Sequence, residues 1–481
     1  MSNAQAEKLQ TFLRWIDEHG ARYPKLRLIT QADGERSVVA QEDISAFQEV
    51  VHFPTRLLMT QKQALASEMG RLLQAHAGPV NDEVYLAAFL LEEKQRGDSF
   101  WKPYLDILPE SFSNVPLFFP DHERALLKGT FVSELLEYQG RTLLTEYAQL
   151  CERVPGFNRF SSDAFLWARL IVSSRCFGLL MDGAMNRCLV PLGDMLNHQN
   201  PPDVIWSCFG DSFVMMAQRA VPAGMEVHGT YGAKDNDMLL LHYGFVLEKN
   251  PDDTLMLRLG LPEGDALAAE KQKLLGLNAP SARRLFKVPA QYDSPATRDM
   301  FSFLRIACAG GEELARLTSA ADSSPSVTGP LSVDTEERVL RALGAACESR
   351  LAAFDTTLEE DERLLREGGL SSNARTCIML RRGEKRLLHA YAELVRTCLP
   401  LLRMPAAELE QLAARPGMSW GAFDGYVRTA LLPAVRAAPA PKAGEHPELS
   451  RIIELLRGWS PERLTALRQQ LEAEPSQAKA S

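Results

Sequence analysis

The sequence lacks an excess of basic residues. Its 481 residues include 53 Lys and Arg against 62 Asp and Glu, so the formal net charge is -9 at pH 7. A protein that binds nucleic acid through a broad phosphate-contacting surface needs clustered Lys and Arg. The charge balance therefore argues against nucleic acid as the partner, although a small basic groove stays compatible with it.

Paired cysteines are also missing. The chain has no C-x-x-C pair and no histidine at zinc-finger spacing. Its eight cysteines are scattered along the chain, at Cys151, Cys176, Cys188, Cys208, Cys308, Cys347, Cys377 and Cys398. We predict that they are reduced thiols that bind no metal, and that the protein is cytoplasmic or nuclear.

No apolar run approaches the ~18 residues that a membrane span needs. The N-terminal segment MSNAQAEKLQTFLRWIDEHG places Leu9, Phe12, Leu13 and Ile16 at helical spacing among charged residues. It therefore lacks the unbroken apolar core of a signal peptide. We predict an N-terminal helix in a soluble, non-secreted protein that has no membrane partner.

Common catalytic signatures are absent as well. Gly224 and Gly229 have phosphate-loop spacing, but Thr230 and Tyr231 stand where such a loop needs Lys and then Ser or Thr. The chain contains neither a G-x-S-x-G nucleophile elbow nor an H-E-x-x-H zinc motif. The two glycines are therefore interpreted as turn residues.

What the chain does contain is an alternation of β and helical patterns. Short segments rich in Val, Ile and Leu predict a small antiparallel sheet near the N-terminus, namely KLRLIT, RSVVA and EVVHF. Similar segments return later as CLVPL, VIWSC, SFVMMA and EVHGTYG, and residues from about 80 to 160 have the spacing of amphipathic helices. The pattern therefore predicts strands that flank a helical insert.

Thr60 and Gln63 match a capping box, which predicts the start of one helix over TQKQALASEMGRLLQAH. Past residue 250, apolar residues recur at spacings of three and four, which predicts a separate α-domain. The predicted organisation is an N-terminal helix at 1–23, a β-rich domain at 24–250, an α-helical domain at 251–472 and a disordered tail at 473–481. The stretches TSAADSSPSVTGPLSVD and RAAPAPKAGEHP are predicted linkers.

The stretch GDMLNHQNPPDV contains an adjacent Asn197 and His198, three residues after Asp194. A histidine in a loop is more often a surface or capping residue than a functional one. The dipeptide alone is therefore a weak indication of a site.

Two further segments strengthen it. GTYGAKDNDMLLLHYGFV concentrates Tyr231, Tyr243 and Phe245 around a short helix. VSSRCF places Arg175 and Phe177 at the end of an amphipathic helix. Taken singly, Arg175 is better explained as a solvated residue at the helix end and Phe177 as a core residue. Only the combination of the three segments points to a functional site.

In chain order, RSVVAQEDI, LLMT, SFWKPYLDILP, LLKGT, SSRCF, PLGDMLNH, TYGAKDN, LHYGFV and RRGEKRLL resemble segments of the SET-domain protein methyltransferases. The resemblance is to the branch typified by the Rubisco large-subunit lysine methyltransferase and the actin-histidine methyltransferase, and it covers nearly the whole chain. It implies an α+β fold, in which a SET domain of small antiparallel sheets with a pseudoknot is split by a helical insert. An all-α substrate-binding domain is expected to follow.

The resemblance also implies a cofactor, S-adenosylmethionine (SAM), and no metal. The cofactor-binding residues that it implies are Gly34, Glu35, Arg36, Arg175, Asp194, Asn197, His198 and Tyr231. Among them, Arg175 is expected to pair with the cofactor carboxylate, where a guanidinium can bond bidentately. Asn197 is expected near the amino acid moiety, and the backbone of His198 at the adenine edge.

For the reaction, the resemblance implies that Tyr231 is the catalytic residue that aligns the methyl group. Phe177, Tyr243 and Phe245 are expected to line a channel for a lysine side chain, whose pKa falls through desolvation and the nearby sulfonium charge. Phe177 matches the lysine-modifying branch, whereas the histidine-modifying branch has Asn there. Lysine is therefore the expected target residue, with histidine methylation as the alternative. The chain also lacks the zinc-bound Cys cluster of many histone-directed SET enzymes, so a non-histone protein is the expected substrate.

One loop departs from the family pattern. The family has a G-x-G in its first cofactor loop, and the corresponding residues here are Glu35, Arg36 and Ser37. Losing those glycines restricts φ and adds side chains where backbone meets ligand. This departure supports a second hypothesis of another class, a non-catalytic SET-like protein-interaction module.

Overall fold

The computed structural model describes residues 3–30, 36–181, 183–279, 281–320, 326–414 and 424–438. The chain divides into two compact units. The first comprises Met1–Leu127, Phe131–Asp252 and Leu370–Cys377, and the second comprises Lys128–Thr130, Asp253–Gly369 and Ile378–Ser481. The predicted domain limits stay predictions, and the predicted tail at 473–481 and most of the predicted linker at 436–447 lie outside the described residues.

The strands of the first unit form three small antiparallel sheets. They are β1 Leu26–Thr30, β2 Arg36–Ala40, β3 Glu49–Pro54, β4 Met59–Thr60, β5 Cys176–Met181, β6 Ala184–Leu189, β7 Val204–Phe209 and β8 Ser212–Ala217. β1 pairs with β2, and the three-stranded sheets have the orders β3-β8-β7 and β4-β6-β5. Each three-stranded sheet combines one strand from before the helical insert with two strands from after it. The insert therefore interrupts one β-fold in sequence.

The helices of the first unit lie mainly between β4 and β5. They are α1 Asn3–Glu18, α2 Gln61–Ala66, α3 Glu68–His76, α4 Asp82–Gln95, α5 Lys102–Leu105, α6 Asp121–Arg124, α7 Phe131–Arg153, α8 Ser162–Arg175 and α9 Asn236–Tyr243. Of the apolar stripe predicted in the N-terminal helix, Leu9, Phe12 and Ile16 are buried and Leu13 is partly buried. That core also takes in apolar side chains of α4 and α8 and of the sheets.

The capping box is confirmed, but the single helix predicted after it is wrong. Thr60 accepts from the Gln63 backbone N–H, and the Gln63 side chain accepts from the Thr60 N–H. The helix then breaks at Ser67, which has extended backbone and caps a second helix through the N–H of Gly70. A Cβ on Gly70 would lie 1.9 Å from the carbonyl oxygen of Ala64, so the close approach of the two short helices requires glycine.

The segment EVHGTYG is not the regular strand that was predicted. Glu226 bridges Val39 of β2, and Gly229 bridges His198, each as an isolated pair. The segment runs between two neighbours and pairs with each at one residue, so no ladder forms. Its side chains are nevertheless placed beside the Asn197–His198 pair.

The second unit is mainly helical. Its elements are β9 Leu255–Gly260, α10 Ala268–Leu275, β10 Arg283–Val288, α11 Pro295–Cys308, α12 Gly311–Ala320, α13 Val333–Leu351, α14 Leu358–Glu367, α15 Ser372–Leu401, α16 Ala406–Ala413, α17 Asp424–Tyr426 and α18 Leu432–Ala437. The first residues of α15 are counted with the first unit. A turn of π-helix, Val427–Leu431, joins the last two helices.

The antiparallel hairpin of β9 and β10 corrects the all-α prediction for this part of the chain. In β9, Leu255, Leu257 and Leu259 are buried while the residues between them are more exposed. This period of two is the signature of a half-buried strand. The segment was predicted helical because the helical spacing that follows it dominates the region.

All eight cysteines are free thiols. In the ranges given above, no helix combines the length and the apolar character that crossing a bilayer requires. The same ranges contain no cluster of three or more His, Cys, Asp or Glu side chains arranged to hold a metal ion.

Candidate active site

The backbone turns sharply just before the Asn-His pair. Leu192 adopts a left-handed φ of 68°, and residues 193–195 form a 3-10 turn. A Cβ on Gly193 would lie 2.8 Å from Val190 Cγ1 and 2.9 Å from Met215 Cε, so a larger residue would require these side chains to shift. The turn buries Asp194 and leaves the following Asn-His pair half-buried.

The segments around Asn197 and Tyr231 lie side by side. Gly229 N–H donates to the Asn197 carbonyl, and Gln199 N–H donates to the Gly229 carbonyl, both at 3.0 Å. This short parallel pairing joins segments about thirty residues apart in sequence. It is the contact that places Tyr231 next to His198.

Tyr231 is bonded at both ends to the segment beside it. Its backbone N–H donates to His198 Nδ1 at 3.0 Å, and its phenol donates to the Leu196 carbonyl at 3.1 Å. Burial lowers the pKa of His198, and the nearby Asp252 carboxylate only partly offsets this, so the ring is neutral near pH 7. Since Nδ1 accepts, the ring proton lies on Nε2.

Three rings gather around Tyr231. It stacks on Tyr243 with 4.5 Å between ring centroids and on His198 with 5.2 Å. Phe245 meets Tyr231 edge-on at 6.3 Å. Burial raises the pKa of Tyr243, so its phenol stays protonated. The structure thus brings together three of the predicted channel and catalytic residues, Tyr231, Tyr243 and Phe245.

A glycine and two asparagines hold these rings in place. Gly244 ends α9 with a φ of 79°, and a Cβ there would lie 2.5 Å from the backbone oxygen of Asn114. Asn114 donates to the Tyr243 carbonyl at 3.3 Å. Asn236 brackets Leu247, donating to its carbonyl at 3.0 Å and accepting from its N–H at 2.9 Å. Asn236 belongs to the segment GTYGAKDNDMLLLHYGFV, but this role was not predicted.

Phe177 lies in a separate aromatic contact. Its ring meets Trp206 edge-on at 4.9 Å and Phe213 at 6.2 Å. Trp206 also lies close to Gly229, since a Cβ there would be 3.9 Å from its ring. Phe177 and Trp206 therefore pack together, and Trp206 lies next to the segment that leads to Tyr231. Trp206 lies in the predicted strand VIWSC and was not predicted as a site residue.

Asp194 anchors Arg175, and both residues were predicted to bind the cofactor. Its Nη1 donates to the Asp194 carbonyl at 2.9 Å and to Oδ2 at 3.3 Å. The Asp194 side chain is fully buried, whereas a quarter of the Arg175 side chain is exposed. Burial alone would lower the pKa of Arg175, but Asp194, Tyr104 and Tyr231 together outweigh it and raise the pKa.

Asn197 faces the first cofactor loop predicted from the family. Its Nδ2 donates to the Arg36 carbonyl at 3.2 Å and to Glu226 Oε1 at 2.7 Å. The Arg36 guanidinium turns away and donates to the Ile107 carbonyl at 2.6 Å. The other two residues predicted in this loop, Gly34 and Glu35, lie outside the described residues.

The groups assembled here fit a zwitterionic cofactor that also carries an aromatic base. The exposed part of the Arg175 guanidinium suits a carboxylate, and the Asn197 amide can meet an amine. The stacked rings of His198 and Tyr231 provide flat, mostly apolar surface. The roles assigned to individual residues at this site stay predictions.

Comparison with known proteins gives the family. Residues 262–388 match the family model described as Rubisco LSMT substrate-binding. The chain is 31% identical over 414 residues to the chloroplastic fructose-bisphosphate aldolase-lysine N-methyltransferase of Arabidopsis thaliana, covering 80% of this chain and 83% of that protein. The chain belongs to the SET-domain protein methyltransferases.

Other relatives of this SET-domain methyltransferase differ in target. The actin-histidine N-methyltransferase of Mus musculus is 27% identical over 462 residues, covering 91% of this chain and 77% of that protein. The crystal structure of the SET domain of LSMT bound to lysine and AdoHcy superposes with a TM-score of 0.69 at 26% identity, covering 86% of this chain and 97% of that one. The predicted fold class and the predicted enzyme class, a SAM-dependent protein methyltransferase, are confirmed.

Proposed function

We propose that this methyltransferase transfers the methyl group of SAM to the ε-amine of a lysine in a non-histone protein. The observation that carries the choice of lysine is the apolar contact of Phe177 with Trp206 at 4.9 Å. An imidazole that attacks through one nitrogen carries a proton on the other, and that proton needs an acceptor. A phenyl ring in an apolar contact offers none, whereas it suits the methylene stem of a lysine.

The residues of the chain then have separate tasks. Arg175 holds a carboxylate, and Asn197 meets an amine. SAM supplies the methyl group as an electrophilic sulfonium. Tyr231 is fixed by its bonds to His198 and Leu196, so its hydroxyl keeps one position while the substrate nitrogen is aligned. The rings of Tyr243 and Phe245 exclude water and disfavour a charged lysine, so no dedicated base is needed.

Two other functions remain to be tested against this one. Histidine methylation is supported by the actin-histidine enzymes among the relatives. A non-catalytic interaction module is supported by the Glu35-Arg36-Ser37 loop, which lacks the family's glycines. We also propose that the protein acts in the cytoplasm or nucleus, a proposal that rests on its eight free cysteines.

The deciding experiment is methyl transfer with radiolabelled SAM into a cell extract, followed by mass spectrometry of the labelled protein. We expect label on a lysine. Label on a histidine would replace lysine by histidine in the proposal. No label, together with no binding of SAM in isothermal titration calorimetry, would favour the interaction module.

The role of Tyr231 is tested by Tyr231→Phe. Cofactor affinity should stay within about threefold, because the rings and the backbone N–H remain. The transfer rate should fall by about 10² or more if the hydroxyl aligns the reacting groups. The matched control is Tyr138→Phe, at an exposed tyrosine of α7, which should change neither quantity.

A further inference from the structure

The side-chain amide of Asn197 has two unlike ends. Its Nδ2 only donates hydrogen bonds, and its Oδ1 only accepts them. The α-ammonium group of SAM has only donors, so it can be met by Oδ1 and is repelled by Nδ2. The orientation of one amide therefore decides whether Asn197 can bind the cofactor's amine.

Three acceptors surround Nδ2 of Asn197 and leave Oδ1 on the other side. They are Glu226 Oε1 at 2.7 Å, the Arg36 carbonyl at 3.2 Å and Ser37 Oγ at 3.4 Å. The Glu226 contact is the shortest, and a carboxylate is the one side-chain partner here that carries a full charge and cannot donate. Turning the amide over would set Oδ1 against that carboxylate.

We propose that Glu226 is a positioning residue, which locks the Asn197 amide so that Oδ1 is presented to the α-ammonium of SAM. This inference rests on the proposed function of the site. Glu226 acts through Asn197 and needs no contact of its own with the cofactor.

Glu226 is itself held in place. Its backbone bridges Val39, in the same strand as Ser37. On its far side His228 Nε2 lies 3.7 Å from Glu226 Oε2, while His228 Nδ1 lies 3.0 Å from Asp203 Oδ2. Asp203 also accepts from Arg219 Nε at 2.6 Å. The backbone of Glu226 is therefore held by β2, and its carboxylate lies between the Asn197 amide and the His228 ring.

The test is isothermal titration of S-adenosylhomocysteine and of its analogue without the α-amino group. Glu226→Gln keeps the shape but can bond either end of the amide. It should weaken S-adenosylhomocysteine about three- to tenfold, the range for one lost oriented hydrogen bond. Affinity for the deaminated analogue should stay within about twofold. Glu152→Gln, at an exposed position of α7, is the matched control and should change neither affinity.

A second comparison separates orientation from simple attraction between charges. If Glu226 works through Asn197, Glu226→Gln made in an Asn197→Ala background should cause no further loss of affinity. A further loss there, or an equal loss for both ligands in the single variant, would overturn the proposal. If the unaltered protein binds neither ligand, the proposed function fails instead, and thermal unfolding of each variant shows that the fold is intact.

Discussion

The phenol of Tyr104 donates a hydrogen bond of 2.7 Å to Oδ2 of Asp194, and both side chains are fully enclosed. Asp194 in turn holds the Arg175 guanidinium. A residue of the helical insert thus supports the arginine expected to bind the cofactor carboxylate. The insert is therefore part of the site's structure, although it contributes no predicted site residue.

Replacing Tyr104 by Phe should weaken cofactor binding without touching the cofactor. We expect about tenfold lower affinity, because a hydrogen bond to a charged group contributes about 1.5 kcal/mol or more. Burial raises the pKa of Asp194, and the bonds from Arg175 and Tyr104 oppose that rise. Without the phenol the pKa of Asp194 rises further. On acidification, the variant should therefore lose its cofactor affinity at a higher pH than the unaltered protein does. Titration calorimetry across pH, with Tyr138→Phe as control, checks both effects.

Acidification should also disconnect His198 from Tyr231. The pKa of His198 is lowered by burial, so the neutral ring is favoured in the folded protein. The stability that this contributes is fully present above the unfolded histidine pKa of about 6.5 and is lost as pH falls through the lower folded pKa. Protonation of Nδ1 removes the acceptor of the Tyr231 N–H. Histidine ring NMR should show a titration below pH 6.5 accompanied by a shift of the Tyr231 amide, and a pH-independent amide signal would contradict this.

Alanine at Gly244 should damage the aromatic cluster. The new Cβ would overlap the Asn114 backbone oxygen at 2.5 Å and force a left-handed φ. We expect a loss of about 1–3 kcal/mol in the free energy of unfolding and at least a tenfold lower transfer rate, because Tyr243 and Phe245 must move. Gly210→Ala distinguishes the effect of the positive φ from the effect of the overlap. That glycine also has a positive φ, but no atom within 4 Å of the added Cβ, so only stability should fall.

In the second unit, Asp361 neutralises two buried cations. It accepts from Arg381 Nε at 2.9 Å and from Lys385 Nζ at 2.7 Å, and its side chain is fully buried. Asp361→Asn would remove the negative charge that both cations contact, so unfolding should become easier by about 3 kcal/mol. Glu367→Gln breaks an exposed ion pair with Arg363 and should cost under about 0.5 kcal/mol. Urea titrations of the two variants give the comparison, and equal small losses would show that Asp361 is not required.

Local signals in the sequence were dependable where one segment decides the outcome. The capping box of Thr60 and Gln63 forms as predicted, because both partners lie within one helical turn. The break at Ser67 was not predicted, since it depends on how closely Gly70 approaches Ala64 across that break. The β9–β10 hairpin was missed although Leu255, Leu257 and Leu259 alternate with less buried neighbours, because a two-residue period over six residues is a short signal beside long helical ones.

At the site, the sequence by itself determined the family, the fold class and the residues gathered around Asn197 and Tyr231, since motif order and residue type carry that information. Tertiary structure alone decided which groups support them. Tyr104 reaches Asp194 across 90 positions of the chain, and Glu226 reaches Asn197 across 29. Such partners leave no periodic or local trace, because their bonds depend on how separate segments pack. The orientation of the Asn197 amide is set in the same way, by three acceptors from two segments that meet only in the folded protein.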